Sequence, residues 1–114
     1  MKATELMIGD WVYNSYHKKN IKWSYSEMFC PNGIPVIGRD LEPIPLTPEI
    51  LEKNGWWYNV EDMWFHDEVD FCIEKFNRRF QCYEISQIKL DSVHQIQQTL
   101  RLCGLNELAD NFKV

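Results

Sequence analysis

One histidine and several carboxylates lie close together in the middle of the chain. His66 precedes Asp67 and Glu68, with Asp62 and Asp70 on either side. Carboxylates and imidazole are the groups that hold hard divalent cations or transfer protons in acid–base catalysis. A metal site needs ligands that converge from several directions, whereas these residues form one local run. The pattern favours a solvated acidic hairpin, with a weak divalent-cation site as the alternative.

Cysteines are the second group that could carry chemistry, as ligands of a structural zinc ion. The four cysteines are Cys30, Cys72, Cys82 and Cys103. Structural zinc sites take their ligands in closely spaced pairs, and no C-x-x-C pair is present here. We expect Cys72 and Cys82 on neighbouring strands and Cys103 on the buried stripe of a helix, as small apolar side chains. The sequence therefore predicts no metal site.

Nucleophilic catalysis would need a serine or cysteine beside a histidine and an orienting carboxylate. The chain contains no G-x-S-x-G elbow, no glycine-rich phosphate loop and no paired metal-binding histidine motif. Its five glycines are not clustered. We therefore predict a protein that is not an enzyme, with no catalytic residue, no cofactor-binding residue and no cofactor. A small hydrolase built near His66 is the least favoured alternative.

The segment 13–25 combines aromatic rings with cationic side chains, which single-strand nucleic-acid binders use for stacking bases and following phosphates. The candidate contacts, to nucleic acid or to another partner, are Tyr16, Lys18, Lys19, Lys22 and Trp23. The residues from 21 to 26 also alternate apolar and polar side chains, which is typical of a half-buried strand. That alternation places Trp23 beside Ile21 on a core face. The sequence favours the core and a solvated loop, and a ligand-binding face is the alternative.

Two β-rich regions flank a proline-led helix in the predicted fold. Residues 1–40 should form a β-meander or a small barrel-like sheet, with strands at Leu6–Tyr13, at 21–26 and after the Pro31-Asn32-Gly33 turn. Residues 56–90 should form a second meander. Its strands are expected near 56–60, 63–66, 69–76 and 80–88, with turns at Asp67-Glu68 and Asn77-Arg78-Arg79.

Residues 41–55 contain the clearest helix signals. Three prolines in 41–48 hold the backbone extended. Thr47 is a suitable N-cap, Pro48 fits the first helical position, and Gly55 can end the helix in a left-handed conformation. The sequence therefore predicts about two turns of helix that end sharply.

A second helix is predicted within 91–114. Asp91 or Ser92 can cap it, Gly104 ends it, and one more short turn follows between Leu105 and Phe112. Its apolar stripe consists of Val93, Ile96, Leu100 and Cys103. This stripe should pack on one face of the sheet. The predicted fold class is α+β, with a single domain over 1–114.

Composition and charge narrow the class of protein. The 114 residues include 14% aromatic side chains, which serve equally well in a core or at a binding surface. The net charge is −5, and residues 40–74 hold ten acidic side chains against Lys53 alone. That acidic middle argues against a protein coated in nucleic acid. No apolar run approaches the roughly 20 residues of a membrane span, and no signal peptide is recognisable. We therefore expect no membrane association and a cytoplasmic location.

Two long motifs extend beyond these patterns. The residues from Leu41 to Trp56 read LEPIPLTPEILEKNGW, and those from Val93 to Leu108 read VHQIQQTLRLCGLNEL. Both resemble segments of small uncharacterised proteins encoded by gut Bacteroides and by their phages and mobile elements. The opening Leu6–Tyr13 is similar to the first strand of those proteins. The resemblance implies a bacterial cytoplasm and an accessory gene carried by a phage or transposon, and it assigns no catalytic or binding residue.

The function predicted from these observations is that of a non-enzymatic interaction module. Exposed aromatic side chains from 11–25 or 56–65 would meet an unidentified protein partner, or the acidic segment 61–70 would meet a basic one. Single-stranded nucleic-acid binding through the hairpin 13–25 is the alternative. The oligomeric state stays open.

Overall fold

Two antiparallel sheets and three helices make up the described part of the chain, which confirms the α+β class. A computed structural model describes residues 5–24, 41–59 and 61–114. The strands are β1 (Trp11–Asn14), β2 (Lys19–Lys22), β3 (Leu41–Glu42), β4 (Trp57–Asn59), β5 (Met63–Phe65), β6 (Ile73–Phe76) and β7 (Arg79–Cys82). The helices are α1 (Pro48–Lys53), α2 (Val93–Leu102) and α3 (Asn106–Asp110). Among these helices, none has the length and apolar character to cross a membrane.

The first sheet has the order β2-β1-β3, and its described strands form an open sheet rather than a barrel. The predicted strand Leu6–Tyr13 begins only at Trp11, because Gly9 takes a φ of +94° in a turn. Strand β2 begins at Lys19, two residues before the predicted start. The expected third strand after the Pro31-Asn32-Gly33 turn lies outside the described residues.

Strand β1 lies between two hydrophobic clusters. Val12 belongs to a small core that also contains Ile21, Trp23 and Leu41. On the opposite face of the strand, Trp11 and Tyr13 pack against the main core. Successive side chains of a strand point to opposite faces, so a four-residue strand can serve both clusters.

The second sheet has the order β4-β5-β6-β7 and is the antiparallel meander predicted for 56–90. Turns occur at Asp67-Glu68 and at Asn77-Arg78, as predicted. Strand β6 begins at Ile73 rather than near 69, and β7 ends at Cys82 rather than near 88. The chain instead turns back after β7, and Leu90 donates its backbone N–H to the Phe80 carbonyl at 2.9 Å.

The inner face of the second sheet supplies much of the main core. Trp64 lies opposite Ile73, and Ile73 lies opposite Cys82, with all three side chains buried. The main core consists of Ile44, Leu46, Leu51, Trp56, Trp64, Val69, Phe71, Ile73, Phe80, Cys82, Leu90, Val93, Ile96, Leu100, Ala109 and Phe112. Helix α2 thus packs on one face of the sheet, as its apolar stripe predicts.

Both predicted helix starts are confirmed. The Thr47 hydroxyl accepts a hydrogen bond from the Ile50 N–H at 3.3 Å, and Pro48 occupies the first turn of α1. Ser92 caps α2 in a capping box with Gln95, whose side-chain oxygen accepts the Ser92 N–H at 3.1 Å. These side chains satisfy backbone donors that have no partner inside the helix.

The predicted position of Cys103 on the buried stripe is wrong. Val93, Ile96 and Leu100 are buried, whereas Cys103 is exposed. Helix α2 ends at Leu102, and Gly104 then turns the chain with a φ of +78°. Leu105 instead packs against the main core, and its N–H donates to the Leu100 carbonyl at 2.9 Å.

A buried amide joins the first sheet to the C-terminal helices. The Gln97 side chain is fully buried, and its oxygen accepts the Trp11 N–H at 2.8 Å. Its nitrogen donates to the carbonyls of Gly9 at 3.0 Å and Ala109 at 2.9 Å. One side chain therefore satisfies backbone groups from β1, from the preceding turn and from α3.

A buried carboxylate lies beside this amide. Asp10 is fully buried, and its Oδ2 accepts the Met7 N–H at 2.8 Å and the Gln98 side-chain N–H at 2.7 Å. Its Oδ1 accepts from Arg101 Nη1. A buried charge is tolerated when it is both paired and hydrogen-bonded, and Asp10 meets both conditions. We call Asp10, Gln97 and Arg101 the junction.

The substitution Gln97→Leu should lower the free energy of unfolding by about 3 kcal/mol, because one buried and two partly buried backbone groups lose their partner. Urea unfolding followed by tryptophan fluorescence measures this change. The matched control is Gln87→Leu, at an exposed turn residue, which should change the free energy by less than about 0.5 kcal/mol. Equal effects of the two substitutions would contradict a structural role for the Gln97 amide.

Candidate functional site

The face of the second sheet that points away from the main core carries aromatic side chains. Paired residues of neighbouring strands share a face, and Trp57 pairs with Phe65 while Met63 pairs with Glu74. We define the outer sheet face as Trp57, Met63, Phe65, Cys72, Glu74 and Tyr83. Apart from Trp57, these residues line one shallow cleft of about 470 Å³.

Aromatic rings of the outer sheet face are accessible to solvent. Trp57 is 47% exposed and Tyr83 is 57% exposed. The Trp57 and Phe65 rings stack with centroids 5.0 Å apart and planes inclined by 25°. Three of the other tryptophans, Trp23, Trp56 and Trp64, are buried. Most tryptophan rings therefore belong to the cores, Trp11 is partly buried, and Trp57 is the tryptophan that is about half exposed.

Carboxylates surround the aromatic rings of this face. Glu61, Glu74 and Glu84 line the same cleft, and no lysine or arginine does so among the described residues. Glu84 is held by the Cys72 N–H, which donates to both carboxylate oxygens at 3.0 Å. Glu74 accepts a hydrogen bond from the Gln81 side chain at 3.1 Å. The surface thus combines exposed rings with ordered negative charge.

The Cys72 thiol of this cleft is poorly suited to nucleophilic attack. Burial, reinforced by the neighbouring Glu84 carboxylate, raises the pKa of the Cys72 thiol. The thiolate is the nucleophilic form, and raising the pKa makes it rarer at neutral pH. Burial also raises the pKa of the Cys82 thiol. Cys82 lies on β7 opposite Ile73, and Cys72 lies one residue before β6, so the two cysteines are close to the predicted neighbouring strands but on opposite faces of the sheet; both are free.

The candidate contact residues of the hairpin 13–25 occupy different environments. Trp23 is 2% exposed in the small core, so its ring faces are not available to stack on a base. Lys22 Nζ donates to the Asp110 carbonyl at 2.6 Å and lies 5.5 Å from the centre of the Trp11 ring. Tyr16 is 77% exposed and lies with exposed Lys18 and Lys19 around the β1–β2 turn. The structure brings these three candidates together and separates them from Trp23.

His66 is held by hydrogen bonds at both ring nitrogens. Its Nδ1 accepts the Glu68 N–H at 3.1 Å, which leaves the proton on Nε2 to donate to the Asn54 carbonyl at 3.1 Å. The ring also contacts Trp56 edge-on, with centroids 5.3 Å apart. Within residues 5–24, 41–59 and 61–114, no three histidine, cysteine or carboxylate side chains are grouped so as to hold a metal ion. His66 fixes the α1–β4 connection to the β5–β6 turn.

A serine–histidine pair occurs at the start of α2. Ser92 Oγ lies 3.2 Å from His94 Nδ1, and both side chains are buried. Sequence patterns did not single out this pair, because only tertiary burial gives it an unusual environment. Burial lowers the pKa of the His94 imidazole, while the Asp10 and Glu5 carboxylates act in the opposite direction. Ser92 is the N-cap residue of α2 and forms its capping box with Gln95, and His94 lies in the first turn of that helix.

Comparison with known proteins adds no further assignment. No family model matches the chain, and neither a curated protein nor a solved structure does. The resemblance to small Bacteroides and phage proteins therefore stays a prediction. Of the outer sheet face, the sequence predicted only the aromatic segment 56–65. The period-two alternation of side-chain direction in β4 and β5 is the signal that could have added the other residues of this face to the prediction.

Both the left-handed backbone conformation and the lack of room for a Cβ should make glycine necessary at position 55. Gly55 has a φ of +84°, and a Cβ built there would lie 3.0 Å from His66 Nε2. Gly104 is the matched control, with a φ of +78° and no heavy atom within 4 Å of a Cβ. Gly104→Ala should cost about 1 kcal/mol of unfolding free energy from left-handed strain alone. Gly55→Ala should cost about 1–2 kcal/mol more, because His66 must move away from its partners. Equal costs in urea unfolding would contradict the steric role of Gly55.

Acidification should destabilise the protein partly through His94. Because burial lowers its pKa in the folded state, the unfolded chain binds a proton at His94 more readily than the folded chain does. The stability conferred by neutral His94 is therefore fully present above about pH 6.5, the unfolded pKa, and is lost as the pH falls below it. The substitution His94→Asn should reduce the loss of unfolding free energy between about pH 7.5 and about pH 5.5.

The matched control for this effect is His17→Asn, since His17 is exposed. That substitution should leave the pH dependence of the unfolding free energy unchanged. His94 is not a source of the acid sensitivity if the His94→Asn variant loses as much unfolding free energy on acidification as the parent protein does.

Proposed function

We propose that the protein is a non-enzymatic interaction module that docks a basic protein segment on its outer sheet face. The observation that carries the proposal is the half-exposed Trp57 ring, which stacks on Phe65, together with the exposed Tyr83 ring that lines the same cleft as Phe65. Large rings at the centre of a surface patch supply most of the binding energy in protein interfaces. Burying these rings would gain apolar contact without breaking either core.

Charge determines the kind of partner that this face fits. Glu61, Glu74 and Glu84 line the cleft beside the rings. A partner that presents arginine or lysine around an apolar or aromatic side chain is complementary to this arrangement. An arginine guanidinium can in addition stack on the exposed Trp57 ring while it pairs with a carboxylate. An acidic partner would be repelled.

A second candidate function is binding of single-stranded nucleic acid at the β1–β2 turn. The exposure of Tyr16, Lys18 and Lys19 supports it. One ring and two lysines offer few contacts, and the burial of Trp23 removes the second stacking position. The interaction module is therefore favoured. A cytoplasmic location and a bacterial accessory gene carried by a phage or mobile element complete the proposal, and both rest on the sequence.

Selection from a random peptide library displayed on phage tests the proposal. We expect the protein to enrich peptides in which arginine or lysine flanks an aromatic or aliphatic residue. Trp57→Ala and Tyr83→Ala should each weaken the binding of an enriched synthetic peptide at least ~10-fold. Both residues are about half exposed, so the unfolding free energy should change by less than about 1 kcal/mol.

Tyr16→Ala is the matched control, because Tyr16 is an exposed ring outside the outer sheet face. That variant should bind the enriched peptides as the parent does. Enrichment of acidic peptides, or binding that survives Trp57→Ala and fails with Tyr16→Ala, would overturn the assignment of this surface.

A further inference from the structure

The last residues of the chain form one wall of a second surface cleft, which differs in charge from the outer sheet face. The Asn54 side chain pairs with both backbone groups of Lys113, with each hydrogen bond at 2.8 Å. Trp11 Nε1 donates to the Phe112 carbonyl at 2.7 Å. These bonds fasten the segment 111–114 between α1 and the first sheet. The segment is therefore an ordered wall that can position side chains for a ligand.

Positive charge collects in this cleft, although the protein as a whole is acidic with a net charge of −5. The cleft measures about 600 Å³, and Lys22, Lys53 and Lys113 line it together with Trp11 and Asn111. Among the described residues that line it, none carries a carboxylate side chain. We call this surface the lysine cleft.

The ammonium groups of the lysine cleft are held by main-chain oxygens. Lys22 Nζ donates to the Asp110 carbonyl at 2.6 Å, and Lys53 Nζ donates to the main-chain oxygen of Val114 at 3.4 Å. Both side-chain ion pairs within the described parts of the chain are made by Arg101 instead. The lysine charges are therefore oriented without being paired to side-chain carboxylates. An anion entering the cleft would relieve their mutual repulsion and accept their remaining N–H groups.

We propose that the lysine cleft binds a small molecule that carries two or more linked phosphate groups. Several lysine ammonium groups suit a multivalent phosphate, whose charge and oxygens are spread over a few ångströms. Lys22 covers the Trp11 ring, with Nζ 5.5 Å from its centre, so the phosphates supply the recognition required here, and a base would add contacts only outside the covered ring face.

The adjoining cleft does not compete for this ligand. It shares Lys53, Asn111 and Lys113 with the lysine cleft, yet it also contains the carboxylates of Glu68 and Glu107. Those carboxylates repel a multivalent anion, which favours placement of the phosphate groups on the side without acidic side chains. This site is independent of the proposed protein-docking function, because it shares no residue with the outer sheet face.

Isothermal titration with inorganic tripolyphosphate at about 0.15 M salt tests the proposal. We expect saturable binding that weakens at least ~10-fold in the double variant Lys53→Gln/Lys113→Gln. The matched control is Lys18→Gln/Lys19→Gln, which removes the same charge from the β1–β2 turn and should bind within ~2-fold of the parent. Trp57→Ala should also bind tripolyphosphate as the parent does, which separates this site from the docking surface.

Titration with ATP and with AMP distinguishes the source of the phosphates. Equal binding of ATP and tripolyphosphate identifies an inorganic or generic polyphosphate ligand, and tighter binding of ATP identifies a nucleotide; both support the site. Binding of AMP as tight as that of ATP would overturn the requirement for linked phosphates. Absence of saturable tripolyphosphate binding, or an equal loss in both double variants, would overturn the proposal.

Discussion

The fold depends on a buried amide that joins the two halves of the chain. The fully buried Gln97 side chain of α2 bonds to backbone groups of Gly9, Trp11 and Ala109. Beside it, the buried Asp10 carboxylate forms an ion pair with Arg101, which balances its negative charge. Hydrophobic contacts alone tolerate small shifts, whereas buried hydrogen bonds require one relative position of the groups that they join. The junction therefore sets where the first sheet lies against the C-terminal helices.

That position explains why β1 can have both faces covered. Val12 enters the small core while Trp11 packs against the main core. The Trp11 indole N–H then bonds to the Phe112 carbonyl, which orders the end of the chain. The wall of the lysine cleft is thus a consequence of the junction, since displacement of β1 would release Trp11 and the segment 111–114.

The same packing leaves one face of the second sheet uncovered. Its inner face, with Trp64 and Ile73, is used by the main core, and the single long helix of the described chain lies on that side. The outer sheet face keeps Trp57 and Tyr83 half exposed among carboxylates. The protein therefore offers two surfaces of opposite charge, an acidic aromatic face and the lysine cleft. Such a separation favours partners of different chemistry at the two sites.

Local signals in the sequence determined the α+β class, both helix caps and the two tight turns of the second meander, because capping and turn formation depend on residues only a few positions apart. They also identified Trp57 within an aromatic segment and the lysines of the first hairpin. Alternation in 21–26 also predicted Trp23 on a core face, and its burial confirms this. Tertiary structure alone decided that Leu105, beyond the end of α2, packs against the main core while Cys103 is exposed, and that Lys22 meets Lys53 and Lys113 in one cleft. The side chains of this cleft come from positions far apart in the chain, so no periodic pattern in the sequence predicts that they lie together. Their positions follow from long-range hydrogen bonds and packing, which the sequence encodes only through the complete fold.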